Sequence, residues 1–175
     1  IANAGFAYYE QLSAANWERI ERIYRLNTFS PIYTLLALRQ RYGDSVPKMV
    51  MVTSSMGHWA LPGYALYGST KAALNHFAAS FRAEMDDPQQ LMLVYPIATR
   101  TNFFHAANEK TAPMAFPSQT PDHVAAAILR GIERDQQAVY PSWLFRLGLL
   151  LDRISPFQRI VFALEKRRFQ RWLRS

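Results

Sequence analysis

The chain has 175 residues, half of them hydrophobic, with seven glycines, ten prolines and no cysteine. That is enough apolar material for one domain with a sizeable core, and it excludes disulfides, thiolate metal sites and cysteine nucleophiles while fitting a reducing compartment. The formal charge of +7 is uneven: residues 141–175 contribute +6 of it, so the high pI belongs to the tail rather than to the body.

Ile1 to Ala4 reads as the end of a buried strand closed by Gly5. A chain that opens on such a strand end, not on Met, is expected to begin inside a domain. Asn16–Tyr42 is predicted as one long helix, with Ile20, Ile23, Tyr24, Leu26, Leu35, Leu36 and Leu38 at helical spacing. Pro31 should bend it or cost it a hydrogen bond, and Gly43-Asp44 should stop it. Lys48–Thr53 is a short apolar run of the kind that forms a central parallel strand. After a loop holding Gly57, Pro62 and Gly63, Tyr64–Met85 forms a second long helix, ended by Asp86-Asp87-Pro88. Leu91–Tyr95 is the next buried strand, stopped by Pro96.

Arg100–Gln119 is long for a connection and reads as a lid or binding loop. Its Phe103, Phe104, Met114 and Phe116 suit a hydrophobic alcohol or ketone, or simple local packing. Thr120-Pro121-Asp122 starts a helix running to about Asp135, and Ala138–Tyr140 is a brief strand. This alternation implies an α/β fold, a Rossmann-like doubly wound parallel sheet over 1–140, with a basic amphipathic helical tail over 141–175, all in one domain. No apolar run approaches the roughly 20 residues a spanning helix needs. In the tail, Trp143, Leu144, Leu147, Leu150 and Leu151, then Phe157, Ile160, Val161, Leu164, Phe169 and Trp172, make apolar faces opposed by arginines. A helical pair covering the cleft or a subunit contact is the preferred reading. An interfacial helix attracted to anionic lipids is the other. No nucleic-acid-binding module is present, so no nucleic acid is expected.

Chemistry concentrates in Tyr67-Gly-Ser-Thr-Lys71. Positions four apart share a helix face, so a phenol and an ammonium can approach. The cation is expected to lower the phenol's pKa, making it an acid/base for an alcohol or carbonyl oxygen. With nine tyrosines and four lysines, this spacing arises by chance about one time in five, so context decides. Thr53-Ser54-Ser55 sits at a strand's carboxyl end, where open α/β sheets bind ligands, and a serine there can bond an oxygen that gains charge. A lone serine in such a place more often merely starts a loop. Asn27 lies inside a helix it does not favour, which fits either a proton relay or a tolerated polar residue. The four histidines lack metal-ligand spacing, so no metal site is expected. His58 is close enough in sequence to Ser54 to touch a substrate, or is an idle loop residue.

The segment from Thr53 to Lys71, Thr-Ser-Ser-Met-Gly-His-Trp-Ala-Leu-Pro-Gly-Tyr-Ala-Leu-Tyr-Gly-Ser-Thr-Lys, resembles the active-site segment of short-chain dehydrogenases/reductases. In that family a serine precedes the catalytic tyrosine by thirteen residues, as Ser54 precedes Tyr67. An asparagine lies about forty residues before it, matched by Asn27. The family's Asn-Asn-Ala-Gly appears as Ala2-Asn3-Ala4-Gly5. Its nicotinamide-lining Pro-Gly-x-Val-x-Thr appears as Pro96-Ile97-Ala98-Thr99-Arg100-Thr101, departing at Ile97 and Thr99, which puts the local loop shape in question.

The resemblance implies Tyr67 as acid/base and Lys71 lowering its pKa and holding the nicotinamide ribose. Ser54 would polarise the carbonyl, and Asn27 would support a water joined to Lys71. It implies contacts from Asn3, Ala4, Gly5, Tyr67, Lys71, Pro96, Ile97, Thr99 and Thr101 to NADP or NAD, NADP being preferred. It also implies a small-molecule alcohol or carbonyl substrate and a homodimer or homotetramer built on the two long helices. The place in the cell is expected to be the cytoplasm, or a membrane periphery through the basic tail. The family's glycine-rich pyrophosphate loop is absent from these residues, as are roughly 80 upstream residues of its pattern. This chain alone is therefore expected to bind cofactor weakly or not at all. Two rivals stand beside this reading: a non-catalytic or membrane-associated binding protein that keeps the fold, and a nucleotide-sugar epimerase or dehydratase, against which the short tail argues.

Overall fold

The computed structural model describes residues 1–45, 47–104, 117–155 and 157–174. Three parallel strands form its sheet in the order β1 (Met49–Val52), β2 (Leu91–Val94) and β3 (Ala138–Val139). Ala2 extends the sheet beyond β1 as a parallel bridge to Met51, its N–H donating to the Val50 carbonyl at 2.7 Å. The strands are apolar on both sides because both faces are covered. Met49, Met51, Leu91 and Leu93 point into one core with Leu35, Leu74 and Ala78. Val50, Met92 and Val94 point into the other with Val124, Ala127 and Ile128. Alternate residues of one strand thus feed two cores, which is why continuous rather than alternating hydrophobicity marks these segments. The doubly wound α/β architecture expected from the sequence is the one observed.

The first long helix is not uniform. Asn16 caps it, its Oδ1 accepting from Arg19 N–H at 2.9 Å, and α1 (Trp17–Tyr24) leads into a π-helical turn, Arg25–Phe29, before α2 (Ser30–Tyr42). The expected irregularity at Pro31 therefore appears one turn earlier. Pro31 has no N–H to give the Asn27 carbonyl four residues back, and its ring crowds that carbonyl. The backbone widens instead, and Ser30 N–H reaches back five residues to Arg25. Gly43, at φ 59°, ends α2.

α3 (Ala65–Arg82) stops three residues short of the expected Met85. Its last residue turns toward the sheet, Arg82 Nη2 donating to the Leu91 and Gln137 carbonyls at 2.8 and 2.7 Å. α4 (Pro121–Glu133) starts under the Thr120 cap as expected. It lies so close to the sheet that a Cβ on Gly131 would meet Val139 Cγ2 at 2.3 Å. The tail forms α5 (Trp143–Leu151) and α6 (Phe157–Arg174). Phe145 joins the first core, while Phe169 and Trp172 pack edge-on against Tyr9, at 5.4 and 4.7 Å between ring centroids. Most of the expected lid over Arg100–Gln119, including His105, Met114 and Phe116, lies outside the described residues.

Candidate active site

At the carboxyl end of β1 the chain is stitched to β2. Thr53 N–H and Oγ1 both donate to the Val94 carbonyl, at 2.8 and 3.0 Å, and Ser55 N–H donates to the Pro96 carbonyl at 2.9 Å. Between them Ser54 is held with its Oγ accepting from Met56 N–H at 3.1 Å. One lone pair is thereby used, and the hydroxyl proton is left to point at the Tyr67 phenol, with which Ser54 is hydrogen-bonded. The 3-10 turn Ser55–Gly57 then runs tight against α3, where a Cβ on Gly57 would stand 3.1 Å from the Lys71 carbonyl.

Tyr67 and Lys71 are one turn apart on the inner face of α3, and both are buried, at 6% and 4% exposure. The Lys71 ammonium crosses to the sheet and donates to the Val52 carbonyl at 3.0 Å, 5.8 Å from the Tyr67 ring centroid. Ser54, Tyr67 and Lys71 all open onto one cavity of about 470 Å³. Asn3, Gly5, Pro96, Ile97, Thr99 and Thr101 line it too. The two departures from the family pattern leave the Pro96–Thr101 loop well held. Thr99 Oγ1 donates to the Ile97 carbonyl at 3.0 Å, and Gln119 clamps the strand from outside, donating to the Ala98 carbonyl and accepting from Arg100 N–H.

The electrostatics differ from the sequence expectation. The phenol of Tyr67 is pushed up to about 12, burial being the larger cause and the Ser54 hydrogen bond a smaller one in the opposite sense. Lys71 is itself pushed down to about 8 by burial. Desolvation disfavours whichever form is charged, and for both groups burial is the largest cause. The expected lowering of the Tyr67 pKa by Lys71 is therefore not what this pocket shows; it holds a neutral phenol beside an easily deprotonated amine.

Asn27 is brought to the site but not onto the cavity wall. It is fully buried in the π-helical turn. Its Oδ1 accepts from Phe6 N–H at 3.1 Å, and its Nδ2 donates to the Phe6 carbonyl at 2.9 Å and to Thr70 Oγ1 at 3.2 Å. Thr70 in turn donates to the Tyr67 carbonyl at 2.7 Å. The amide thus locks the chain after Gly5 to the helix that carries Tyr67. A Cβ on Gly5 would stand 3.0 Å from Asn27 Oδ1, so a side chain there would press on the braced amide.

Ala4 faces outward and is not among the lining residues. His58 is turned away, its ring 4.7 Å from that of Tyr95, and it borders a second cavity of about 720 Å³ beneath α6. Burial lowers its pKa. Sequence reasoning missed Met56, Val124 and Ile128 in the wall; the wall residues on α4 arrive from 70 residues after Ser54 and carry no motif. Phe103, expected only as part of a lid, stands edge-on to the Tyr67 ring at 5.7 Å.

Comparison with known proteins places these features in context. A family model described as short chain dehydrogenase matches residues 1–112. Short chain dehydrogenase/reductase AacuN of Aspergillus aculeatus is 25% identical over 153 residues, covering 86% of this chain and 53% of that protein. The 17-beta-hydroxysteroid dehydrogenase 13 of Mus musculus is 24% identical over 162 residues, covering 87% and 51%. The chain thus spans about half the length of these curated relatives. Among solved structures, a short-chain dehydrogenase from Sphingobium yanoikuyae in complex with NADPH aligns with TM-score 0.71 and 25% identity over 87% of this chain and 61% of that one. One from Burkholderia cenocepacia, in complex with NADP, aligns with TM-score 0.71 and 23% identity over 90% and 67%, a likeness of fold.

Proposed function

The chain belongs to the short-chain dehydrogenase family, and from that premise we propose that it carries the acid/base half of an oxidoreductase site interconverting a hydrophobic alcohol and its carbonyl with NADP(H) or NAD(H). The observation that carries this reading is the convergence of Ser54, Tyr67 and Lys71 on one cavity at the carboxyl end of a parallel sheet. The cavity suits the nicotinamide-ribose end of a dinucleotide. Gly5 leaves room beside the Lys71 ammonium, and the clamped Pro96–Thr101 loop presents main-chain groups. Asn3 and Thr101 would add polar contacts there. NADP(H) is the first cofactor to test, since the Sphingobium and Burkholderia proteins hold it.

Bound at that end, the nicotinamide supplies or takes up the hydride. In the reductive direction the Tyr67 phenol, neutral at pH 7, donates its proton to the carbonyl oxygen as negative charge gathers there. Ser54, its lone pair already engaged by Met56 N–H, donates a second hydrogen bond to that oxygen. Lys71, whose ammonium lies beside the cavity, would hold the ribose. Asn27 fixes the Gly5–Phe6 segment to the Tyr67 helix, and its main chain would seat the water joined to Lys71. Met56, Ile97, Phe103 and Ile128 leave the cavity largely apolar, which selects a hydrophobic substrate. Phe29, Tyr33 and Leu36, exposed at helical spacing along the first long helix, are the surface through which two copies would associate.

The test is hydride transfer in the longest natural form of the polypeptide, following NADPH and then NADH against a panel of hydrophobic ketones. Turnover by the native protein and a loss of about 10²–10⁴-fold in Tyr67→Phe are expected. Turnover retained in that variant would remove Tyr67 from the chemistry, and an inert native protein that binds cofactor would leave only a binding role.

A further inference from the structure

Among the described residues, helix α5 is fastened on one side. Ser142 caps it, accepting from Phe145 N–H at 3.3 Å. Phe145 is buried, edge-on to Trp59 at 4.9 Å. Just past its end, Asp152 accepts from Trp59 Nε1 at 2.5 Å and from Gln158 N–H at 2.6 Å, tying α5 and the start of α6 to the body. On the opposite side Trp143, Leu147 and Leu150 recur at positions i, i+4 and i+7 of the helix, with Leu144 beside them and Ile154 exposed in the turn that follows. Trp143 is 70% and Ile154 83% exposed. Arg146 and Arg153 are exposed along one edge of the stripe.

The next helix repeats the spacing. Its inner residues Phe169 and Trp172 pack on Tyr9, while Ile160, Leu164, Arg167 and Arg171, at i, i+4, i+7 and i+11, face outward. Apolar residues thus fill the first two turns of this outer face and arginines the last two.

We infer that the outer face of α5 and α6 docks flat on the surface of an anionic lipid bilayer, with Trp143, Leu147, Leu150 and Ile154 entering the headgroup–acyl boundary and the arginines meeting lipid phosphates. Charge decides between occupants. Residues 141–175 carry a net +6, so a second copy laid against this face would bring like charge to like, whereas an anionic surface offers the complement. An apolar stripe rimmed by arginines is the pattern of a helix that lies in the interface plane. No helix among the described residues is long and apolar enough to cross a membrane.

Flotation of the full chain with phosphatidylglycerol vesicles tests this, with phosphatidylcholine vesicles and raised salt alongside. The native chain should float with the anionic vesicles and be released by salt. Leu147→Glu/Leu150→Glu should lower partitioning at least tenfold with an unchanged thermal transition. Arg167→Glu/Arg171→Glu, on a different helix, serves the same purpose if the first variant does not fold. Brominated phosphatidylglycerol should quench tryptophan emission, less so in Trp143→Phe. Failure to float with phosphatidylglycerol would overturn the inference, as would equal flotation with phosphatidylcholine at high salt. A self-association broken by Leu147→Glu/Leu150→Glu without any vesicle binding would assign the stripe to a second copy instead.

Discussion

Around the cavity the molecule hides polar groups inside: Asn27, Ser54, Thr70 and Lys71 are buried, each hydrogen-bonded, with apolar walls about them. From Trp143 to Arg174 it does the reverse, leaving leucines, isoleucines and a tryptophan in solvent above a thinner buried layer. A side chain of the first region is fixed by several partners, so replacing it disturbs chemistry and stability together. An outer residue of the second, such as Trp143 at 70% exposure, has little packing among the described residues to lose, so replacing it should leave the fold as it was.

The largest break in this contrast is Tyr67→Phe. The fold should survive, because the ring keeps its place against Phe103, while turnover falls by about 10²–10⁴-fold, the usual worth of a general acid; steady-state kinetics beside a thermal melt check both halves. Next comes Asn27→Ala, which orphans the N–H and carbonyl of Phe6 and should cost on the order of 3 kcal/mol in urea unfolding. A loss under about 0.5 kcal/mol would mean that water replaces the amide.

Lys71→Met moves the other way. The amine's folded pKa of about 8 lies below its ordinary 10.5. The protonated form is therefore the costly one in the native state, and stability should rise with pH between about 8 and 10.5 as the folded chain releases that proton first. Removing the charge should raise stability at pH 7 on the order of 2 kcal/mol and flatten that rise, although activity is lost. Tyr67 acts in the opposite sense above pH 10, since its raised pKa lets the folded chain hold the proton longer. The smallest effect is Leu147→Ala, expected to change unfolding free energy by less than about 0.5 kcal/mol. A larger loss would show that the stripe is packed against something in the folded chain.

The strands were legible because sheets covered on both faces leave unbroken apolar runs, and Met49–Val52 and Leu91–Val94 are such runs. Ser54, Tyr67 and Lys71 were legible from spacing, which fixes who shares a face. Spacing does not weigh burial against charge, so the raised phenol of Tyr67 was not foreseen. Nor does it tell a wall residue from one behind the wall: Asn27 was expected to act in a relay, and its side chain is consumed in bracing Phe6. Ala4 was included because its neighbours belong, but a residue in extended chain turns away from both of them. Val124 and Ile128 were missed because only the packing of α4 on the sheet carries them to the cavity.

The widened turn at Arg25–Phe29 makes the length of this segment matter more than its composition. Excising one residue there would remove the extra position that the wide turn accommodates, while Pro31 would still leave one carbonyl without an N–H partner. The same excision would swing all that precedes it by about 100° and take the carboxamide off its brace. Homologous exchanges in this stretch should be tolerated where a one-residue indel is not.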